Sequence, residues 1–223
     1  MNGALVLRLI MKDWYLSRAA LLLIAAAGSL SIGVLYLRGD TTSFLGLSAA
    51  LIATIFLSIL LPMQTVVQER KRQNLPFVMS LPISPMEYTT AKILGNLSAF
   101  LVVWLAIVIG VVGTIARGGV YGGVMPVALV ASFAPFVAFC LLLAVSIVVE
   151  SETWAVVTMG TCNVSYSFAW FFLLRVPGLR EDMRSPVAVW SQPILTILAM
   201  EIAVILLAIG LTFYFQSRKT DFI

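Results

Sequence analysis

The sequence contains no histidine, and charged residues are scarce throughout its length. They make up 11% of the 223 positions, whereas hydrophobic residues make up 61%; a soluble domain carries about 25% charged residues. Without histidine, the chain cannot use His-based metalloprotease motifs, Ser-His dyads or histidine proton relays. The composition therefore indicates an integral membrane protein that lacks these kinds of catalytic machinery.

Cysteine and nucleotide-binding motifs are equally sparse. Cys140 and Cys162 lie inside apolar runs and away from any CxxC or zinc-type spacing, so we interpret both as packing residues. No GxxxxGK[ST] motif is present, which means that the chain does not bind ATP through a P-loop of its own. We expect no catalytic residue, metal site or cofactor in this chain.

Six apolar runs are each long enough to cross about 30 Å of hydrocarbon. Polar and apolar residues do not alternate in them, as they would in the strands of a membrane β-barrel. We therefore predict an all-α integral membrane protein with one transmembrane domain over residues 1–223. The predicted spans are 19–37, 44–67, 93–116, 124–149, 153–174 and 193–215.

The distribution of basic residues predicts the orientation. Nine of the 14 lysines and arginines fall on the side that carries both termini, and five fall on the other side. Positive charge concentrates in cytoplasmic loops, so we predict that both termini are cytoplasmic. This bias accounts for most of the net charge of +4 and gives no reason to expect a nucleic-acid partner.

Residues 1–18 have the pattern of an amphipathic helix. Arg8 and Lys12 share one face, and Leu7 and Met11 lie on the opposite face. Such a helix is expected to lie flat in the cytoplasmic interface of the membrane. A simple membrane anchor is the alternative interpretation.

The segment 68–92 lies between the second and third spans and combines a basic cluster with an apolar stretch. The basic cluster, residues 70–72, favours a cytoplasmic loop. The apolar stretch is bounded by Pro76 and Pro82 and is too short to span a bilayer. Apolar side chains that face water indicate a contact with a partner or with the membrane surface. These side chains are Leu75, Phe77, Val78, Met79 and Leu81.

A helix start follows this stretch. Ser84, Pro85 and Glu87 fit a capping box, in which the serine caps, the proline takes the first helical position and the glutamate reaches back from the third. We predict that a helix begins here in the cytoplasm and enters the membrane beyond Lys92.

Two further loops have two interpretations each. In the turn 150–152, Ser151 is a candidate cap for the fifth span and Glu152 complements its helix dipole; a second contact with a cytoplasmic partner is the alternative. The outer loop 175–192 either dips back towards the membrane surface as a plug or forms an ordinary connection.

Polar residues inside the spans are candidates for a substrate pathway. Glu201 is the one acidic residue well inside a predicted span, which makes it a candidate for transport or gating, although a structural function is possible. The fifth span is unusually polar, and its residues serve either helix packing or a cavity lining. The pathway candidates are Glu201, Thr158, Thr161, Asn163, Ser165 and Tyr166.

Together these features resemble a permease subunit of the ABC type-2 exporter superfamily, and in particular its small permeases for peptide or antimicrobial export. The resemblance rests on MKDW at 11–14, the six spans, and LPISPMEY at 81–88 followed by AK at 91–92. It implies a cytoplasmic coupling helix within 68–92 that docks on a separate ABC ATPase subunit, which binds ATP and Mg²⁺. The residues implied in this contact are Glu69, Arg70, Leu75, Phe77, Val78, Leu81, Ser84 and Glu87, with a lesser contact at Glu150 and Glu152.

The resemblance also implies a second permease copy, either identical or paralogous, and a location in the bacterial plasma membrane. It favours an amphipathic or hydrophobic peptide as cargo. Two other classes remain open from the residues alone: an ATP-independent carrier or channel that uses Glu201, and a membrane scaffold or anchor.

Overall fold

A computed structural model describes residues 3–37, 39–71, 84–118, 120–149 and 151–218. Every regular element in these ranges is helical, and six of the helices are long and apolar enough to cross a membrane, which confirms the predicted fold class. The spanning helices are α1 (Gly3–Leu35), α2 (Asp40–Pro62), α4 (Pro85–Ala116), α5 (Val124–Val148), α6 (Glu152–Leu173) and α8 (Gln192–Ser217). A π-helical turn (Met63–Val67) and α3 (Gln68–Lys71) extend α2, and α7 (Leu179–Met183) is a short helix before α8.

The first helix runs without a break from Gly3 to Leu35, so the structure shows no boundary between a separate helix over 1–18 and the first span. No proline or glycine occurs near Ala19 to interrupt the helical pattern. At 1.5 Å per residue its 33 residues extend about 50 Å, which exceeds the hydrocarbon thickness of about 30 Å. The helix is therefore longer than the hydrocarbon is thick, and an interfacial position of residues 1–18 stays a prediction.

The main core joins α1, α2, α4, α5 and α8, and its centre is aromatic. The ring of Phe100 in α4 stacks on that of Phe139 in α5, with centroids 4.3 Å apart. The indole of Trp104 donates a hydrogen bond of 2.8 Å to the carbonyl oxygen of Ser132. Since α5 carries Pro135 in its interior, this bond lies where the helix loses a backbone donor. The aromatic cluster thereby fixes α5 against α4.

Small residues let the helices approach closely. A side chain at Gly46 in α2 would meet the backbone of Ser31 and Leu35 in α1 at 2.9 and 2.8 Å. A side chain at Gly28 would meet Ile107 of α4 at 2.6 Å. This is the packing mode that membrane helices use in place of a hydrophobic driving force.

The chain after α6 folds back onto the bundle. Leu179 of α7 is 1% exposed and packs in a cluster with Val127, Leu173 and Ile194. Leu179 thereby anchors this segment to α5, α6 and α8. By contrast, α6 and α8 leave most of their side chains exposed in this single chain.

Candidate functional site

Four charged side chains meet where the first part of α1, the extension of α2 and the first turns of α4 converge. Lys12 and Asp13 come from α1, Glu69 from α3 and Lys92 from α4. Asp13, Glu69 and Lys92 are 3%, 7% and 1% exposed, whereas Lys12 reaches solvent. We call these four residues the charge cluster. Its two acids and two bases have no net formal charge.

Lys92 is the centre of the charge cluster. Its Nζ donates to both carboxylate oxygens of Asp13, at 3.1 and 2.9 Å, and to the carbonyl oxygen of Thr65 at 2.9 Å. It also forms an ion pair with Oε2 of Glu69. An ammonium group has three donors, and a buried one is tolerated only when charges and hydrogen bonds compensate it. This geometry explains why a lysine can be fully buried here.

Lys12 closes the cluster from its exposed edge. Its Nζ pairs with Oε1 of Glu69 and lies 3.8 Å from Oδ1 of Asp13. Burial raises the pKa of Glu69, but the neighbouring Lys92 and Lys12 ammonium groups outweigh burial and hold that pKa below its ordinary value. Glu69 is therefore an ionised carboxylate that binds two lysines from two different helices.

The π-helical turn contributes backbone and side-chain contacts to the cluster. Thr65 lies within this turn, and besides its carbonyl bond to Lys92 its hydroxyl lies 2.7 Å from Oδ1 of Asn96. The amide of Asn96 in turn donates to the carbonyl oxygen of Lys92 at 2.8 Å. Local π-helical turns occur frequently at functional sites, and this one aims a carbonyl at the buried ammonium.

The predicted capping box is confirmed at the start of α4. The backbone N–H of Ser84 donates to Oε2 of Glu87 at 2.9 Å, and the N–H of Glu87 donates to the Ser84 hydroxyl at 3.3 Å. Pro85 occupies the first helical position. Glu87 is buried and engaged in this cap, so its geometry supports the helix start.

An exposed ion pair joins two segments that are distant in sequence. Nζ of Lys71 at the end of α3 lies 3.0 Å from Oε1 of Glu152 in the first turn of α6. Their side chains are 67% and 51% exposed. Ser151 occupies the cap position of α6 but makes no side-chain cap bond. The structure thus brings Glu152 next to the segment that follows α2.

A family model described as ABC-2 family transporter protein matches residues 8–220. The chain belongs to this family. The match confirms the resemblance to an ABC type-2 permease. No curated protein and no solved structure matches the chain. The protein is therefore a multi-pass permease subunit of an ABC transporter, and the family implies a partner ABC ATPase in which ATP is hydrolysed.

The structure of the permease describes only some of the predicted coupling residues. Glu69 is buried and held by two lysines, so in this state its carboxylate does not form an exposed contact surface. Arg70 belongs to α3, but its side chain lies outside the described part of the chain. The predicted residues Leu75, Phe77, Val78, Leu81 and Glu150 also lie outside the described residues.

Sequence reasoning did not predict the charge cluster or its hydrogen-bond partners, which include Lys12, Asp13, Thr65, Lys92 and Asn96. Two signals were available in the sequence of the permease. The MKDW motif places an acid beside a lysine on a predicted membrane-associated helix, and Lys92 stands alone at the predicted entry of the third span. A charge at the edge of the hydrocarbon calls for a partner of opposite charge.

The predicted pathway residues of the permease lie mainly on the open surface of α6. Thr161, Asn163 and Ser165 are exposed, whereas Thr158 and Tyr166 are half-buried. Asn163 and Tyr166 help to line a small cavity of about 30 Å³ between α2, α5 and α6. Glu201 in α8 is not among the residues that line this cavity. Its Oε2 is buried and makes no hydrogen bond in the described part of the chain.

Proposed function

We propose that this permease is the membrane subunit of an ATP-driven exporter in the bacterial plasma membrane, with both termini in the cytoplasm. Two permease copies, identical or paralogous, form the pathway. A separate ABC ATPase binds ATP and Mg²⁺ and docks on the coupling segment, residues 68–92. The proposed cargo is an amphipathic or hydrophobic peptide.

The charge cluster is the observation that carries this proposal. Glu69 lies at the start of the coupling segment and Lys92 at its end, and the two form an ion pair. Asp13 of α1 binds the same lysine. Separating buried charged partners is costly, so these three elements are expected to move as one body. A displacement of the coupling segment by the ATPase would then reach α1 and α4 together.

The exposed polar face of α6 supports a second permease copy. Thr161, Asn163 and Ser165 would face lipid in a single chain in the membrane. The side-chain amide of Asn163 donates to Met159 O within its own helix. The side-chain carbonyl oxygen of Asn163 stays available to another partner. Polar residues in spans usually face other helices or an aqueous cavity. A second copy would supply either environment.

Co-purification with the partner ATPase tests the proposal. The double variant Phe77→Asp with Leu81→Asp is expected to insert normally but to lose the ATPase. The matched control is Leu37→Asp with Val187→Asp, which adds two charges at exposed apolar positions on the predicted outer side. Full retention of the ATPase by the first variant contradicts the docking assignment, as does equal loss in the control.

A carrier driven by an ion gradient is the second candidate, because the carboxylate of Glu201 has a buried oxygen without a hydrogen bond in the described part of the chain. A carrier would transport without ATP and would lose transport in Glu201→Gln. Transport that requires ATP and survives Glu201→Gln excludes it. A scaffold protein would show neither transport nor stimulation of ATP hydrolysis.

A further inference from the structure

Two adjoining chambers lie at the end of the bundle where α7 folds back. The inner chamber, about 270 Å³, is lined by α2, α4, α5 and α6. The outer chamber, about 540 Å³, opens at the loops that precede α2 and α5. Phe44, Leu47, Val124 and Met183 line both. An apolar cavity of about 150 Å³ already binds benzene, so the inner chamber has room for a longer apolar group.

The inner chamber is chemically apolar despite three hydroxyl-bearing residues. The hydroxyl of Thr54 donates to Leu51 O at 2.8 Å, and that of Ser132 donates to Ala128 O at 2.7 Å. Because the helices that carry Thr54 and Ser132 take up these two donors, the walls present mainly aliphatic groups and the indole of Trp170. A ligand group inside this chamber gains from burial of apolar surface and finds few polar partners.

The outer chamber has a different character. It is lined by the carboxylate side chain of Asp40 and the hydroxyl-bearing residues Ser43 and Tyr121. Asp40 is exposed and is the one formally charged residue among the described residues that line this chamber. A carboxylate at the entrance of an apolar chamber is complementary to a positively charged head group on an apolar chain.

The roof of the chambers is held in place by a close approach of backbones. The N–H of Gly123 donates to Ser185 O at 3.0 Å. A Cβ atom at Gly123 would overlap Asp182 O, and one at Gly122 would overlap Pro186 O. Glycine is therefore required at both positions for the segment that carries Met183 to close over the cavity. The chambers are pre-formed in a single chain.

We propose that these chambers bind an amphiphile that has one apolar chain and a cationic head group. The chain occupies the inner chamber beside Trp170, and the head group lies in the outer chamber near Asp40. The assignment of this amphiphile as outward-bound cargo rests on the proposed export function, whereas its binding does not.

Tryptophan quenching in lipid nanodiscs tests the binding. The probe is an undecyl trimethylammonium that carries bromine at its chain end, and the comparison probe is the brominated carboxylate of equal length. Bromine beside Trp170 is expected to quench tryptophan fluorescence in a saturable manner. This quenching adds to the linear quenching caused by partition of the probe into lipid. Trp170→Phe removes the saturable part, and Asp40→Asn weakens cation binding about threefold, as expected for one exposed charge pair.

Filling the cavity provides the matched control. Ala128→Leu adds volume to the inner chamber and is expected to abolish saturable quenching, whereas Ala203→Leu adds equal volume on the exposed surface of α8 and is expected to leave it intact. Equal binding of the carboxylate probe, or saturable quenching that persists in Ala128→Leu or Trp170→Phe, overturns the proposal.

The binding result and the ATPase result are independent of each other. Absence of saturable quenching with normal ATPase docking refutes the amphiphile site alone. Saturable quenching without any ATPase partner refutes the exporter alone. If Ala128→Leu fails to insert, the thermal stability of the unmodified chain becomes the deciding measurement. The cationic probe is then expected to stabilise the chain against heat, and the carboxylate probe is not.

Discussion

Nζ of Lys92 lies 2.9 Å from Oδ2 of Asp13, although 79 residues separate the two in sequence. The contact joins the first turns of α1 to the first turns of α4, and Glu69 links the same lysine to the extension of α2. Three elements on the predicted cytoplasmic side thus share one buried set of charges. The predictions below follow from this arrangement and from its surroundings.

Lys92→Met is expected to destabilise the permease by about 3–5 kcal/mol, because it leaves Asp13 and Glu69 buried without their main cation. Lys12→Met is the matched control, since the Lys12 side chain is 43% exposed and should contribute about 1 kcal/mol or less. Thermal unfolding in detergent measures both. Adding Asp13→Leu to Lys92→Met should recover part of the loss. Equal effects of the two lysine substitutions would show that burial of Lys92 has no energetic consequence.

The stability of the permease should depend on pH through Glu69. Its pKa in the folded chain lies below the ordinary value of 4.5, so the unfolded chain binds more protons in that range. The stabilisation is complete above pH 4.5 and is lost as the pH falls through the folded pKa. Unfolding temperatures should be measured while the pH is lowered by about two units from about pH 6. They should fall less steeply in Glu69→Gln than in the unmodified chain. If the unfolding temperature depends on pH in the same way in Glu69→Gln and in the unmodified chain, that result would contradict the ion pairs of Glu69.

The six spans and the capping box were predictable because their signals are local. Apolar length identifies a span, and Ser84 and Glu87 are three residues apart on one turn. The charge cluster was not predictable in this way, because it requires knowledge that α1 packs beside α4. The continuity of α1 was missed because amphipathicity near Arg8 and Lys12 was interpreted as a separate helix. The close approach of the roof segment to Gly122 and Gly123 was not predictable either, because only the tertiary fold brings residues 182–186 against them.

Substitution of Ser84 by alanine should weaken the start of α4 by about 1 kcal/mol, because the N–H of Glu87 loses its cap. Glu87→Gln should have a smaller effect, since glutamine also completes a capping box. Hydrogen exchange of the Tyr88 and Thr89 amides measures the fraying. Unchanged exchange in Ser84→Ala would mean that tertiary packing alone holds this helix start.

Breaking the ion pair between Lys71 and Glu152 should change stability by less than about 1 kcal/mol, because both side chains are largely exposed. Its effect should appear in the coupling between the permease and the ATPase. Lys71→Glu is expected to reduce stimulation of ATP hydrolysis at low salt. Adding Glu152→Lys to the same chain is expected to restore that stimulation. High salt should abolish the difference. A reduction that the charge swap does not restore would assign Lys71 to a direct contact with the ATPase.

Gly123→Ala should displace the roof segment, because its methyl group would overlap the carbonyl oxygen of Asp182. Gly160→Ala is the control, since no atom within 4 Å would meet its methyl group. Protease sensitivity of the segment 180–186 should rise in the first variant alone. Equal sensitivity of both variants would contradict the close approach of these backbones.

The most direct measurement of the central claim follows movement at the predicted outer end of α1 when ATP binds. A spin label at Leu37 in a complex of two permease copies with the partner ATPase should report a distance change on addition of ATP and Mg²⁺. In Lys92→Met the ATPase should still bind, but the change should vanish, because the charge cluster no longer joins the coupling segment to α1. The same distance change in both proteins, with the ATPase bound to both, would contradict the account.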